Sequence, residues 1–247
     1  MKIFKMSAVF FAFLLFLSAE SFARTYDFTT LYNQFMVGEI LKNKISDESL
    51  WALHDYTNVD ETFYVDINSY LRAKTVLGSV APTYPTPFEA VKFPENIRFE
   101  NFSQQEIYEK IMGLDKIFLE LPDLPRDITL FRGISLDWRK GRPFEVGEEY
   151  EDAAYISSSM KQTYAETFTY SNSGALLVLY FEKPLRGLLL KNFEEEVLIE
   201  RGQRFKIMKK KQRIGKPDLY LTQVCHKGQC SKKLSQEDQL ALFELLD

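Results

Sequence analysis

The sequence predicts an α+β domain, with a helical N-terminal half followed by a mostly antiparallel sheet. Three observations carry that expectation. Ser103-Gln104-Gln105-Glu106 is a capping box, and Ile107, Ile111, Leu114 and Phe118 follow it at helical spacing. Ala175 to Phe181 is an unbroken apolar run bounded by Gly174 and Pro184, as suits a central strand. Around that run, from Ile128 to Val224, short β-prone segments follow one another at close intervals.

In chain order, residues 1–23 have the pattern of a cleavable export leader. Lys2 and Lys5 precede the apolar run Ala8 to Leu17, and Ser21-Phe22-Ala23 places small residues at the recognition positions, so cleavage is expected before Arg24. The run is short for a membrane span, and no stable membrane insertion is expected. The exported product would be secreted or periplasmic. Residues 24–45 form an aromatic-rich N-terminal extension without a site motif. Ser46 then caps a helix carrying Asp47 and Glu48 in its first turn, with Leu50, Leu53 and Tyr56 along it. Ile67, Tyr70 and Leu71 share one face of a second helix that ends near Arg72. Residues 81–94 hold four prolines and read as a loop. The capped third helix is stopped by Pro122 and Pro125.

Strands are expected over Ile128 to Arg132, Ala154 to Ser159, Ala175 to Phe181 and Leu188 to Leu190. They continue over Glu195 to Ile199, Gln203 to Met208 and Leu219 to Val224, with Gly215-Lys216-Pro217-Asp218 turning the last pair. Residues 225–247 form a C-terminal tail. Cys225 and Cys230 are the two cysteines, and in an oxidising compartment they can close a small loop around Gly228. Two thiols and His226 are too few for a zinc site, and the other histidine is His54, so no metal is expected. Trp51 and Trp138 read as packing residues.

Formal net charge is -4 with a pI near 5.5, which argues against general attraction to nucleic acid. Lys209-Lys210-Lys211 with Arg213 reads as a solvated hairpin end. Aromatics are plentiful, with 13 Tyr and 21 Phe, which argues for a packed fold and against disorder.

The chemistry-bearing stretch is Glu194-Glu195-Glu196-Val197-Leu198-Ile199. Residues two apart in a strand point to one face, so Glu194 and Glu196 are expected side by side, with Glu195 opposite and solvated. Paired carboxylates repel, which raises one pKa and suits acid/base work. Upstream, Phe131-Arg132-Gly133 places an arginine at a strand end, able to grip phosphates, with a glycine that lets a ligand approach the backbone. Ser157-Ser158-Ser159 offers hydroxyls on another strand. Arginine, serine cluster and paired glutamates, in that order, suit a phosphate-bearing sugar whose bond breaks with developing positive charge.

That ordered set resembles the R-S-E class of mono-ADP-ribosyltransferases, a clan that includes many secreted bacterial toxins. The resemblance spans roughly residues 46–224, which defines the expected catalytic domain. Phe131-Arg132-Gly133 is similar to the family's first-strand arginine, and Ser157-Ser158-Ser159 to its Ser-Thr-Ser motif with serine at the centre. Glu194-x-Glu196, followed by Arg201-Gly202 and Phe205-Lys206-Ile207, is similar to its Glu-x-Glu strand. Tyr56-Thr57 and Ile67-Asn68-Ser69-Tyr70-Leu71-Arg72 resemble its N-terminal helices.

The resemblance implies a two-sheet β core and NAD as co-substrate. Arg132, Gly133, Ser157, Ser158, Ser159 and Phe168 would contact NAD, with Phe168 packing on nicotinamide. Ser157 would hold Glu196, which would stabilise the oxocarbenium-like transition state as nicotinamide leaves. Glu194 would orient and deprotonate the acceptor, for Glu-x-Glu members typically an arginine side chain of a protein target. Alternatives are an NAD glycohydrolase, with water as main acceptor, and a silent binding protein of the same fold. No separate binding or translocation domain is visible, so delivery into a target cell would need another protein or route.

Overall fold

The computed structural model describes residues 27, 29, 45–57, 63–76, 103–125, 128–169, 174–181, 185–190, 194–225 and 230. The expected leader, the Pro-rich loop and nearly all of the N-terminal extension and C-terminal tail lie outside these residues.

Among the described residues, helices α1 (Asp47–Thr57), α2 (Phe63–Val76) and α3 (Gln104–Glu120) precede the strands. Helix α3 starts where its capping box demands. Ser103 Oγ accepts from the Glu106 amide, and the Glu106 carboxylate accepts from the Ser103 amide. The face α1 buries is Ser49, Ala52 and Tyr56, while Leu50 is left exposed. Small residues win that face because α3 approaches closely there: a Cβ on Gly113 would lie 2.8 Å from the Ala52 methyl. Leu50, the most apolar residue of that turn, stays outside because the tight helix crossing selects Ser49 and Ala52.

The strands are β1 (Leu130–Ser135), β2 (Glu149–Asp152), β3 (Ile156–Ser159), β4 (Gly174–Tyr180), β5 (Gly187–Leu190), β6 (Glu196–Ile199), β7 (Gln203–Lys211) and β8 (Asp218–Cys225). A short helix α4 (Gln162–Thr167) follows β3. All eight strands connect in the order β2-β7-β8-β4-β1-β3-β6-β5, antiparallel except for the parallel pair β4·β8. The apolar run forms β4, which is central as expected. Strand β2, with the polar sequence Glu-Tyr-Glu-Asp, and helix α4 were not anticipated.

The array has a seam. Strand β1 pairs with β4 along six residues, yet it meets β3 only at Phe131↔Ser159. A five-strand group and a three-strand group are thus joined by one residue pair within a single connected eight-stranded sheet, where the resemblance implied two sheets. Beyond Phe131 the β3-facing edge of β1, from Arg132 to Ser135, is left open. The main core packs α1–α3 against Leu130, Leu177, Phe205 and Tyr220 of the first group and Val197 and Leu198 of the second. A smaller cluster on the other face joins Phe131, Leu176, Val178 and Leu219 to Ala165 of α4. Cys225 and Cys230 are disulfide-bonded, tying the start of the tail to the end of β8.

Candidate active site

A cavity of about 600 Å³, within the size range of small-molecule sites, is lined by residues of α2, β1, β2 and the end of α4. Arg72, Arg132, Gly133, Trp138, Asp152 and Phe168 are among its lining residues. Alternation along β1 puts Arg132 on the face of Leu130, toward the helices, where it meets Arg72 from α2. Asp152, at the end of β2, bridges the two. Arg72 donates to both Asp152 oxygens at 3.0 Å, and Arg132 Nη2 donates to Oδ2 at 3.3 Å. Burial alone would raise the Asp152 carboxyl, but Arg132 and Arg72 outweigh it and hold the group below its ordinary range.

A hydrogen-bonded chain runs from that pair to the glutamates. Arg132 Nη1 donates to the Ser157 carbonyl at 2.9 Å, and Ser157 Oγ donates to Glu196 Oε1 at 2.6 Å. The second contact is diagonal: Ser157 pairs with Leu198 and Ser159 with Glu196, so Ser157 and Glu196 share one face of β3·β6. Tyr56 of α1 approaches the same charges. Its hydroxyl is paired with Asn68 of α2 and is pushed to a higher pKa by burial, with the Glu196 charge adding and Arg132 and Arg72 opposing.

The glutamate pair is built differently from a strand pair. Strand β6 begins at Glu196, and Glu195 is left-handed at φ 49°, so Glu194 sits in a turn and the two-residue alternation does not reach it. What holds the turn is Ser159, whose hydroxyl donates to the Glu194 carbonyl at 2.5 Å and accepts from the Lys161 amide. Burial, and secondarily the Glu196 charge, push the Glu194 carboxyl above the ordinary glutamate range. Glu195 is ion-paired to Lys161 at 2.6 Å, where a solvated side chain was expected.

The other serines also do structural work. Ser158 is buried and donates to the Val197 carbonyl at 2.7 Å. Of the predicted site residues, Arg132, Gly133 and Phe168 line the cavity, whereas Ser157, Ser158, Ser159, Glu194 and Glu196 do not. Gly133 lines it, but its lack of a side chain serves the backbone: a Cβ there would lie 1.8 Å from the Ala165 carbonyl oxygen. That contact seats α4, which ends at Phe168, half-exposed at the cavity wall. Arg201 fixes the turn after β6 by a two-pronged grip on Asp115 of α3.

Three expectations are corrected by packing. Trp51 and Trp138 are each 62% exposed, because α1 buries its small residues and Trp138 stands on a turn at the cavity rim. Arg213 is not solvated but pairs with Glu166 of α4 at 2.8 Å, and Lys210 pairs with Asp218. Arg72 and Asp152 were missed as site residues. Arg72 ends an apolar helical pattern, a usable signal, whereas Asp152 belongs to a polar strand defined by its pairing with β7.

No family model and no curated protein matches the sequence. Solved structures do match. The Vis toxin, an ADP-ribosyltransferase from Vibrio splendidus, aligns over 88% of this chain and 94% of its own at 16% identity, TM-score 0.54, and Vis has also been crystallised with agmatine. The Clostridium limosum C3 exoenzyme aligns over 83% and 96% at 16% identity, TM-score 0.57. The ADP-ribosylating toxin BECa of C. perfringens, solved with NADH, aligns over 80% of this chain and 47% of its own at 16% identity, TM-score 0.56. At these identities the likeness establishes the architecture, and that architecture is the ADP-ribosyltransferase toxin fold.

Proposed function

We propose that this protein is an exported, NAD-dependent mono-ADP-ribosyltransferase that modifies arginine side chains of a protein target. The observation that carries the reading is the continuous chain Arg132–Ser157–Glu196, with Glu194 beside it, which reaches the cavity through Arg132. Two arginines sharing one carboxylate form a cationic cradle for a pyrophosphate. In the reaction the bond between the ribose anomeric carbon and the nicotinamide nitrogen breaks, and its electron pair leaves with nicotinamide. Glu196, held by Ser157, faces the developing oxocarbenium charge. A guanidinium nitrogen then forms the new bond to that carbon and loses a proton. An arginine side chain stays protonated in water, so a local carboxylate base is needed, and Glu194 is the group in place.

Agmatine, the compound bound by Vis, carries a guanidinium and is the natural acceptor probe. Phe168 supplies a ring at the cavity wall for nicotinamide, and Gly133 lets α4 bring it there. Ser158 and Ser159 support the site through the backbone and are not assigned to NAD. The Cys225–Cys230 disulfide fits an oxidising compartment, and no described helix is long and apolar enough to cross a membrane.

The test is nicotinamide release and ADP-ribose transfer to agmatine by the purified protein, alongside Glu196→Gln. Transfer that Glu196→Gln abolishes supports the transferase. Free ADP-ribose as the main product with agmatine present makes the protein an NAD glycohydrolase. NAD binding without turnover makes it a silent binding protein of the fold.

A further inference from the structure

We infer that Trp138 is the stacking platform for the adenine ring of the dinucleotide, an inference that rests on the NAD-dependent reading above. Trp138 lines the cavity, yet 62% of its surface is exposed, a costly placement for a ring of that size. The ring is supported from the side. Phe144 and Tyr150 lie with centroids 6.2 Å away, and Tyr150 stacks in turn on Phe205 at 4.9 Å. The Arg139 guanidinium sits 5.3 Å from the Trp138 ring and 4.1 Å from that of Phe144. Arg139 is itself fixed by both Glu148 oxygens, at 2.5 and 2.9 Å, and by the carbonyls of Arg142 and Pro143. The exposed ring is thus presented on a braced turn.

Position along β1 selects which end of the dinucleotide it meets. Phe131 pairs with Ser159, which pairs with Glu196, so the glutamates mark the near end of the open edge. Arg132 follows, and the Phe168 Cβ lies 3.2 Å from where a Gly133 Cβ would stand. Ser135 ends the strand about 13 Å from Phe131 at ordinary strand rise, with Trp138 beyond it. A dinucleotide with its scissile bond at Glu196 and its phosphates at Arg132 and Arg72 runs toward Trp138 with its second base. Stacking is indifferent to hydrogen-bond pattern, so the subsite takes a purine face without reading its edge.

The chain has two tryptophans, and the other, Trp51, is exposed on α1 with its ring against His54. Trp51→Phe therefore leaves Trp138 as the one indole reporter. Its fluorescence is titrated with NAD, AMP and nicotinamide mononucleotide, while calorimetry measures NAD binding independently. Quenching by NAD and AMP but not by nicotinamide mononucleotide is the expected result. Trp138→Ala should weaken NAD binding by about 5- to 150-fold, the range of base–aromatic stacking, with Trp138→Phe recovering much of it. Calorimetric NAD binding with silent Trp138 fluorescence, or quenching by nicotinamide mononucleotide alone, overturns the adenine assignment and leaves the NAD reading standing. Absence of calorimetric NAD binding overturns both.

Discussion

The Ser157 hydroxyl donates to Glu196 Oε1 at 2.6 Å across the β3·β6 ladder, and the Ser157 carbonyl accepts from Arg132. One serine thereby fixes both the residue proposed to stabilise the transition state and the residue proposed to hold phosphate. Ser157 is exposed, so its removal should leave folding nearly intact. Ser157→Ala should lower nicotinamide release about 10- to 100-fold, the worth of one hydrogen bond to a charged group. Glu196→Gln should lower it about 100-fold or more, since it removes the charge itself. Initial rates at saturating NAD, with melting curves for both variants, check the pair.

Glu194 should control transfer without controlling NAD cleavage. Its carboxyl is raised by burial and then by Glu196, so it takes up a proton at a higher pH than an ordinary glutamate. Transfer to agmatine should therefore fall as pH drops through that raised value, while nicotinamide release persists. Glu194→Gln should reproduce the low-pH behaviour at every pH. The linkage has a definite sign: a carboxyl whose folded pKa is raised favours the folded state at low pH and loses that contribution as pH rises through the folded pKa. Glu194→Gln should thus melt at or above the parent protein at neutral pH, with the gap closing in acid. A lower melting temperature for the variant at neutral pH would contradict the desolvation argument.

Features set by local chemistry were legible in the sequence. The capping box at Ser103 and the apolar run of β4 depend on neighbours in the chain, and both appear where expected. Arg132, Ser157 and Glu196 lie on strands whose patterns are apolar enough to recognise, and the structure links them by hydrogen bonds. The glutamate pair was expected for a reason that does not hold, since a left-handed Glu195 interrupts the strand. No periodicity reports a single positive φ. Arg72 and Asp152 meet across 80 residues of sequence, and β2 exists through its ladder to β7, so neither signal is local. The two tryptophans read as packing residues, yet a helix crossing and a cavity rim left them mostly exposed.

Asp152 should be the hinge of both stability and substrate affinity. Its charge stands between Arg72 and Arg132, and Asp152→Asn would leave two guanidinium groups facing each other. Because the Arg72 side chain is 50% exposed, the expected cost is discounted from that of a fully buried pair to on the order of 2 kcal/mol. The depressed carboxyl contributes stability above its unfolded pKa and loses it as pH falls through the folded value. Asp152→Asn should therefore flatten the acid limb of a stability–pH curve. Arg72→Ala, which spares the Arg132–Asp152 contact, should raise KM for NAD about tenfold or more with a smaller change in kcat.

Gly133 should be the least replaceable glycine of the site, for a reason separable from backbone freedom. Its added Cβ would meet the Ala165 carbonyl oxygen at 1.8 Å and the Ala165 carbonyl carbon at 2.9 Å, and backbone atoms cannot rotate away. Helix α4 must shift as a body, which disturbs the Glu166–Arg213 pair and moves Phe168 from the cavity wall. Gly133→Ala should cost about 3 kcal/mol, the upper end for an overpacked contact, and weaken NAD binding along with stability. Gly141 is the control. Its φ is 73° and nothing lies within 4 Å of where its Cβ would stand, so Gly141→Ala isolates the left-handed backbone penalty at about 1 kcal/mol. Denaturant melts of the two variants compare steric with conformational cost. An equal loss at both positions would mean that α4 yields freely, and that Phe168 is not held against the cavity by Gly133.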